Sequence, residues 1–197
     1  MNVTRDLLRM FQQLLRGELS RAKRRRGSAP LLIAVLTVAV FAIGWFLDEP
    51  AAPLPGKGME LSCLVSDVHD GDTVTASCDN GQLKVRVFGI DAPEIGQQPW
   101  GEWSRDQLRT LIPGDNRLRF QVMDKDNYGR VVARLYAGDR DLGFDMVRQG
   151  FAVVYAQYNK SRAYQEAQAQ AKRESLGVWS RAGAQQEPWQ WRRLNPR

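Results

Sequence analysis

The 197-residue sequence has little of what ordinarily carries nucleophilic or acid–base chemistry: one histidine and two cysteines. His69 cannot by itself supply both members of a histidine acid–base pair, and no Ser-His-Asp or Cys-His arrangement stands out. Water is therefore the expected nucleophile of any hydrolysis, and His69 reads as a turn residue. An excess of charge is also missing from most of the chain. Residues 1–28 carry 8 Lys/Arg against 2 Asp/Glu, which accounts for the whole net charge of +6, and residues 29–197 hold 20 of each. The net charge describes the N-terminal segment and not what a folded domain binds. Internal repeats and low-complexity segments are lacking too.

A charge-free run is present. Residues 29–47, "APLLIAVLTVAVFAIGWFL", are 19 apolar-biased positions, and at 1.5 Å per residue they approach a hydrocarbon core of roughly 30 Å. They read as a single membrane-spanning helix. Arg21, Lys23, Arg24, Arg25 and Arg26 precede it while Asp48 and Glu49 follow, so the N-terminus is expected to be cytoplasmic. The remainder then lies on the periplasmic or extracellular side of the plasma (inner) membrane. A cleaved signal peptide is the competing reading; the 26-residue polar lead and the length of the apolar run stand against it. Within residues 5–26, Leu7, Leu8, Phe11, Leu14, Leu15 and Leu19 recur at helical steps. They suit an amphipathic helix on the inner membrane surface or against a partner.

The expected organisation is a basic segment (1–28), the span (29–47), a Pro/Gly/Ala linker free of packing (48–58), a folded domain (59–180) and a tail (181–197). Strand-like runs occupy 61–68, 73–78 and 83–90, the last two joined by Asn80-Gly81, a preferred type I′ hairpin centre. That turn sets Cys78 opposite Leu83 and Ala76 opposite Val85. Val74, Ala76, Leu83, Val85 and Val87 then share the core face, with Arg86 on the other face beside Thr75. A helix with apolar positions Trp103, Leu108, Leu111 and Ile112 ends at Pro113-Gly114. Strands 117–123 and 131–136 flank "DKDNYGR", and helices follow at 142–149 and at 162–175, the second with Ser161 in the cap position. This pattern predicts an α+β fold: a five-stranded barrel of the oligonucleotide-binding type with about three helices.

Asp70, Asp72 and Asp91 are hard oxygen donors at strand edges, and like charges gathered in one place call for a cation. Each of "DG" and "DA" alone is ordinary turn chemistry; together, with Glu94 three residues on, they indicate a divalent-metal site. Arg86 within one strand and Arg130 at the start of another suit bidentate contact with phosphate oxygens, the alternative being structural ion pairs with the acidic cluster.

"DGDT", "RVFGIDAPE" and "DNYGR", in that order and spacing, resemble the staphylococcal-type thermonuclease family over about residues 59–179, and "PWQWRR" is similar to the tail of its bacterial members. The resemblance implies a nuclease acting on DNA and RNA with Ca²⁺ as cofactor. Carried over by position, it implies that Asp72 and Asp91 bind Ca²⁺, that Ala92 adds its backbone carbonyl, and that Asp70 is an outer-shell partner. Glu94 would orient or deprotonate the attacking water, Arg86 and Arg130 would hold the phosphodiester, and Tyr128 would contact the nucleotide. Asn127 departs from the lysine of the best-known member, and "VVYAQY" places its tyrosines differently; Tyr155 and Tyr158 are candidates for stacking on bases or for half-buried edge aromatics. The rival reading is a barrel that keeps the fold and only binds nucleic acid, or another polyanion, at the cell envelope.

With Asp70-Gly71 as a two-residue turn, Cys63 falls opposite Cys78, within disulfide range on the oxidising side of the membrane. A bulge in the first strand would instead shift the register and leave two buried thiols. Trp179, Trp189 and Trp191 read as packing residues that seal the tail onto the barrel.

Overall fold

A computed structural model describes residues 53–79 and 81–196 together with Thr37. The amphipathic segment, the membrane span apart from Thr37, the start of the linker and Asn80 lie outside the described residues. Among the described residues no helix is long and apolar enough to cross a membrane. The chain divides into two compact units, 1–51 and 52–197, and the second carries the fold.

Its frame is a barrel of five strands, β1 (Glu60–Val68), β2 (Thr73–Cys78), β3 (Gly81–Val87), β5 (Arg117–Lys125) and β6 (Val131–Ala137). They are ordered β3-β2-β1-β5-β6, and the parallel pairing of β6 back onto β3 closes the sheet. Closure leaves no long free edge and encloses Val74, Val85, Phe120, Val122 and Leu135. Short β4 (Ile90–Asp91) pairs with β8 (Val153–Val154), and β7 (Arg140–Asp141) extends β6. The helices are α1 (Trp100–Leu111), α2 (Leu142–Arg148), α3 (Arg162–Arg173) and α4 (Pro188–Leu194).

The first hairpin depends on two irregularities that compensate each other. Cys63 and Val65 point inward on alternate positions, but the next buried residue is Val68, three further on. The register shift between Val65 and Asp67 marks a bulge there. At the other end His69 N donates to Thr73 O at 2.9 Å, so the turn holds three residues, Asp70, Gly71 and Asp72, and not two. The extra turn residue and the extra strand residue cancel. Leu64 faces Ser77, and Cys63 and Cys78 are joined by a disulfide with Cα atoms 4.4 Å apart. Bulge and disulfide thus coexist, which the two-residue turn did not allow.

The β2–β3 register also differs from expectation. Cys78 pairs with Gly81 and Ala76 with Leu83, two residues away from the predicted pairing. Because side chains alternate with a period of two, the core face is unchanged. Arg86, however, is opposite Thr73 and not Thr75, which brings it level with Asp72. The strand predicted over 83–90 breaks after Val87 and resumes as β4, with Gly89 at φ +74° in between.

α1 buries Gly101, Ser104, Leu108 and Leu111, while Trp103 is 51% exposed and lies off the predicted apolar face. Small residues occupy that face because backbone comes against it. A Cβ on Gly71 would stand 1.8 Å from Ser104 Oγ, and one on Gly101 would stand 2.0 Å from the Glu94 carbonyl oxygen. Ser161 holds the N-cap position of α3 without a side-chain capping bond, and the helix ends at Arg173. The linker reaches the barrel: Leu54 packs on the core, Pro55 is buried and Gly58 N donates to Val122 O at 2.8 Å. Packing therefore begins before Met59.

Candidate active site

The turn between β1 and β2, the end of β3 and the β4 segment meet at one end of the barrel. Asp72 stands at the end of the first turn, where its backbone N–H donates to Asp70 Oδ1 at 2.9 Å. Its own carboxylate is buried and accepts three hydrogen bonds: Oδ1 from Arg86 Nη1 at 2.9 Å and from Thr73 Oγ1 at 3.0 Å, and Oδ2 from Ala92 N at 2.9 Å. Asp91, on β4, is completely buried. Its Oδ1 accepts from Arg86 Nη2 at 2.8 Å. One planar guanidinium therefore bridges two carboxylates that are 19 positions apart in the chain, a use for which Arg's fixed fork is suited.

Glu94 opens a turn in which its N–H donates to Gln97 Oε1 at 2.8 Å and its carbonyl accepts from Gln97 N at 2.7 Å. Together with the Gly101 contact, this fixes the backbone that carries the carboxylate. The structure brings Asp72, Asp91, Glu94, Arg86 and the Ala92 backbone into one network, with Asp70 at its edge.

Sequence reasoning missed a further participant. Arg192, on α4, donates through Nη1 to Asp91 Oδ1 at 3.0 Å and to Glu94 Oε1 at 3.0 Å, and through Nη2 to Asp91 Oδ2 at 2.9 Å. Its sequence signal is "PWQWRR", in which the tryptophans carry the packing signature and the arginines read as ordinary charges.

Arg130 lies elsewhere in the hydrogen-bond pattern. It precedes β6, whose Val132 is the lateral neighbour of Arg86, and its Nε donates to Asp126 Oδ2 at 2.7 Å. Asp126 also accepts from the backbone N–H groups of Tyr128 and Arg130, each at 2.9 Å, and so organises the whole "DNYGR" loop. Tyr128 is 85% exposed, its ring 5.6 Å from the Arg130 guanidinium. Tyr155 and Tyr158 form an edge-to-face pair, 4.9 Å between centroids, directly after β8, with Tyr155 N bonded to Gly89 O. His69 is bound to Thr75 and Asp67 at the start of the first turn.

Burial governs the electrostatics. It pushes the Asp70 carboxyl up to about 7, with the charge of Asp72 adding to the rise. Burial also raises Asp91, although the hydrogen bonds and charges of Arg192 and Arg86 pull the other way. For Arg86 burial opposes the charge, and the fields of Asp72 and Asp91 outweigh it, so the guanidinium is held more firmly protonated than usual. Arg192 behaves in the same way beside Asp91 and Glu94. Such shifts reflect a site that gathers negative charge and needs cations.

The carboxylates of Asp72 and Asp91 are hard oxygen donors of the kind that suits a hard cation. Among the described residues no group of three or more acidic, histidine or cysteine side chains converges as a ready metal cluster. Guanidinium groups supply the neutralising charge in the structure. An ion held by Asp72 and Asp91 would take the rest of its coordination from water or substrate.

Residues 84–181 match the family described as Staphylococcal nuclease homologue. The chain is 34% identical over 137 residues to an uncharacterized endonuclease of Escherichia coli, covering 66% of this chain and 88% of that protein. It is 37% identical over 133 residues to an uncharacterized endonuclease of Haemophilus influenzae, covering 67% and 73%. With a micrococcal nuclease of Shigella flexneri it shares 38% identity over 141 residues, covering 65% and 78%. The chain belongs to the staphylococcal nuclease family. As a nuclease of this type it is a hydrolase built on an oligonucleotide-binding barrel.

Proposed function

We propose that this staphylococcal-type nuclease is Ca²⁺-dependent and hydrolyses phosphodiester bonds of DNA and RNA by attack of water, with Glu94 as general base. The observation that carries the reading is the Arg86 bridge: one guanidinium grips Asp72 and Asp91 together, and Glu94 stands in the same network. Asp72, Asp91 and the Ala92 carbonyl are the ligands for the ion, with Asp70 as its outer partner. When bound, Ca²⁺ would position the attacking water and offset the charge of the phosphate.

The other tasks belong to the chain. Glu94 accepts the water's proton, its backbone braced by Gln97 and α1. Arg86 and Arg130 provide guanidinium donors for phosphate oxygens that gain charge as the fifth oxygen approaches. Tyr128, Tyr155 and Tyr158 offer ring faces for bases, a contact tolerant of sequence. The same reading anchors the protein in the plasma membrane through residues 29–47 and places the nuclease outside the cytoplasm, where a Cys63–Cys78 disulfide persists.

The test is cleavage of fluorescent single-stranded DNA and RNA by the full-length protein, in Ca²⁺ and in chelator, beside Glu94→Gln and Arg86→Lys. Ca²⁺-dependent cleavage is expected, reduced on the order of 10²–10⁴-fold by Glu94→Gln. Binding without cleavage by the wild type would assign the barrel to docking of nucleic acid, and undiminished cleavage in chelator would remove Ca²⁺ from the reading.

A further inference from the structure

The C-terminal segment reaches the site at three points. Gln97 Nε2 donates to the Ala184 carbonyl at 3.0 Å, tying the turn after Glu94 to the tail. The Trp191 ring lies against Gly96, where an added Cβ would be 2.8 Å from it. The next residue, Arg192, spans Asp91 and Glu94. Since Arg86 already holds Asp91 Oδ1, both oxygens of Asp91 face guanidinium N–H groups.

The two arginines are not equivalent. Arg86 comes from within β3, its side chain 16% exposed, and leaves Asp91 Oδ2 to others. Arg192 is delivered from outside by a seven-residue helix near the chain end, its side chain 35% exposed. A guanidinium and a divalent ion on one carboxylate repel each other and compete for the same lone pairs. The helix that presents Arg192 meets the turn after Glu94 through the Trp191 ring, and the tail bond is made by Ala184, ahead of the helix. A helix of seven residues held by few contacts opens at low free energy.

We propose that α4 is an intramolecular latch: Arg192 takes the place of a cation on Asp91 and holds Glu94, so docking of α4 and binding of the metal exclude each other. The latch rests on the Ca²⁺ reading of Asp72 and Asp91. It lowers the apparent Ca²⁺ affinity of the intact chain by the fraction of molecules that are latched, and by linkage Ca²⁺ releases α4.

The experiment is Ca²⁺ binding by titration calorimetry on full-length wild type, Arg192→Gln, Trp191→Ala, Asp91→Asn and, as a control on the same helix, Arg193→Ala. Amide exchange across residues 184–194 is followed with and without Ca²⁺. Arg192→Gln and Trp191→Ala are expected to bind Ca²⁺ on the order of tenfold more tightly, Arg193→Ala as the wild type does, and exchange in the tail to speed up when Ca²⁺ is added. Unchanged or weaker affinity in Arg192→Gln, or exchange indifferent to Ca²⁺, overturns the latch. If Asp91→Asn still abolishes binding in that case, the Ca²⁺ site stands. Absence of Ca²⁺ binding by every variant overturns the latch and the Ca²⁺ reading together.

Discussion

Gly101 lies so close to Glu94 that a Cβ on it would stand 2.0 Å from the Glu94 carbonyl oxygen. The first turn of α1 is thereby pressed onto the backbone that carries the proposed base. Gly101→Ala forces helix and turn apart, and a displacement on the order of 1 Å at a catalytic group lowers rate about 10²-fold. The expected result is a folded variant, destabilised by about 1–3 kcal/mol, whose kcat falls far more than its affinity for oligonucleotide. Thermal melting and single-turnover kinetics measure both; an unchanged kcat would show that Glu94 does not depend on this contact.

Removal of the Arg86 charge leaves Asp72 and Asp91 buried with less compensation. Arg86→Ala is expected to destabilise the metal-free protein by about 3–5 kcal/mol, and Arg86→Lys by less, since one ammonium cannot bridge both carboxylates. Denaturant titration in chelator reads the difference. Equal stability of the wild type and Arg86→Ala would mean the bridge is not what holds these acids in place.

The Cys63–Cys78 disulfide closes a separation of 15 residues, for which the chain-entropy estimate is about 3 kcal/mol. Replacing both cysteines by serine, or adding reductant, is expected to lower the unfolding midpoint accordingly without abolishing cleavage, because neither cysteine touches the acidic cluster. Loss of cleavage in a folded double variant would contradict the separation of brace and site.

Loop 126–130 has a pH limit. Burial works against the Asp126 carboxylate, but the N–H groups of Arg130 and Tyr128 and the Arg130 guanidinium outweigh it, so its pKa is lowered on folding. A lowered carboxyl contributes stability above its unfolded value and loses it as pH falls through the folded one. Signals of Tyr128, Gly129 and Arg130 in NMR spectra are therefore expected to hold position at neutral pH and to shift below about pH 4. Asp126→Asn should show the shifted state at neutral pH.

The barrel was legible because strand alternation and turn residues are local signals. Even where the β2–β3 register slipped by two residues, Val74, Ala76, Leu83 and Val85 kept their face, since an even slip preserves parity. What failed depended on through-space contact. The three-residue turn at Asp70–Asp72 and the Ser66 bulge offset each other, and neither is visible alone. Trp103 counted as core by hydrophobicity, yet the helix face against the barrel had to be small where backbone approaches. Within the site, Asp72, Asp91, Glu94 and Arg86 were readable from two contiguous motifs. Arg192 was not, because it enters from 98 residues beyond Glu94 on an element with no periodic signature.

In the proposed reaction Glu94 removes the proton from the attacking water at a site held by Arg86. Single-turnover cleavage of a short oligonucleotide by the wild type and Glu94→Gln, with substrate binding measured on the same samples in Ca²⁺, tests it directly. Glu94→Gln is expected to bind within a few-fold of the wild type and to cleave more slowly, on the order of 10²–10⁴-fold. Wild-type cleavage by a folded Glu94→Gln would contradict it and move the base to another residue.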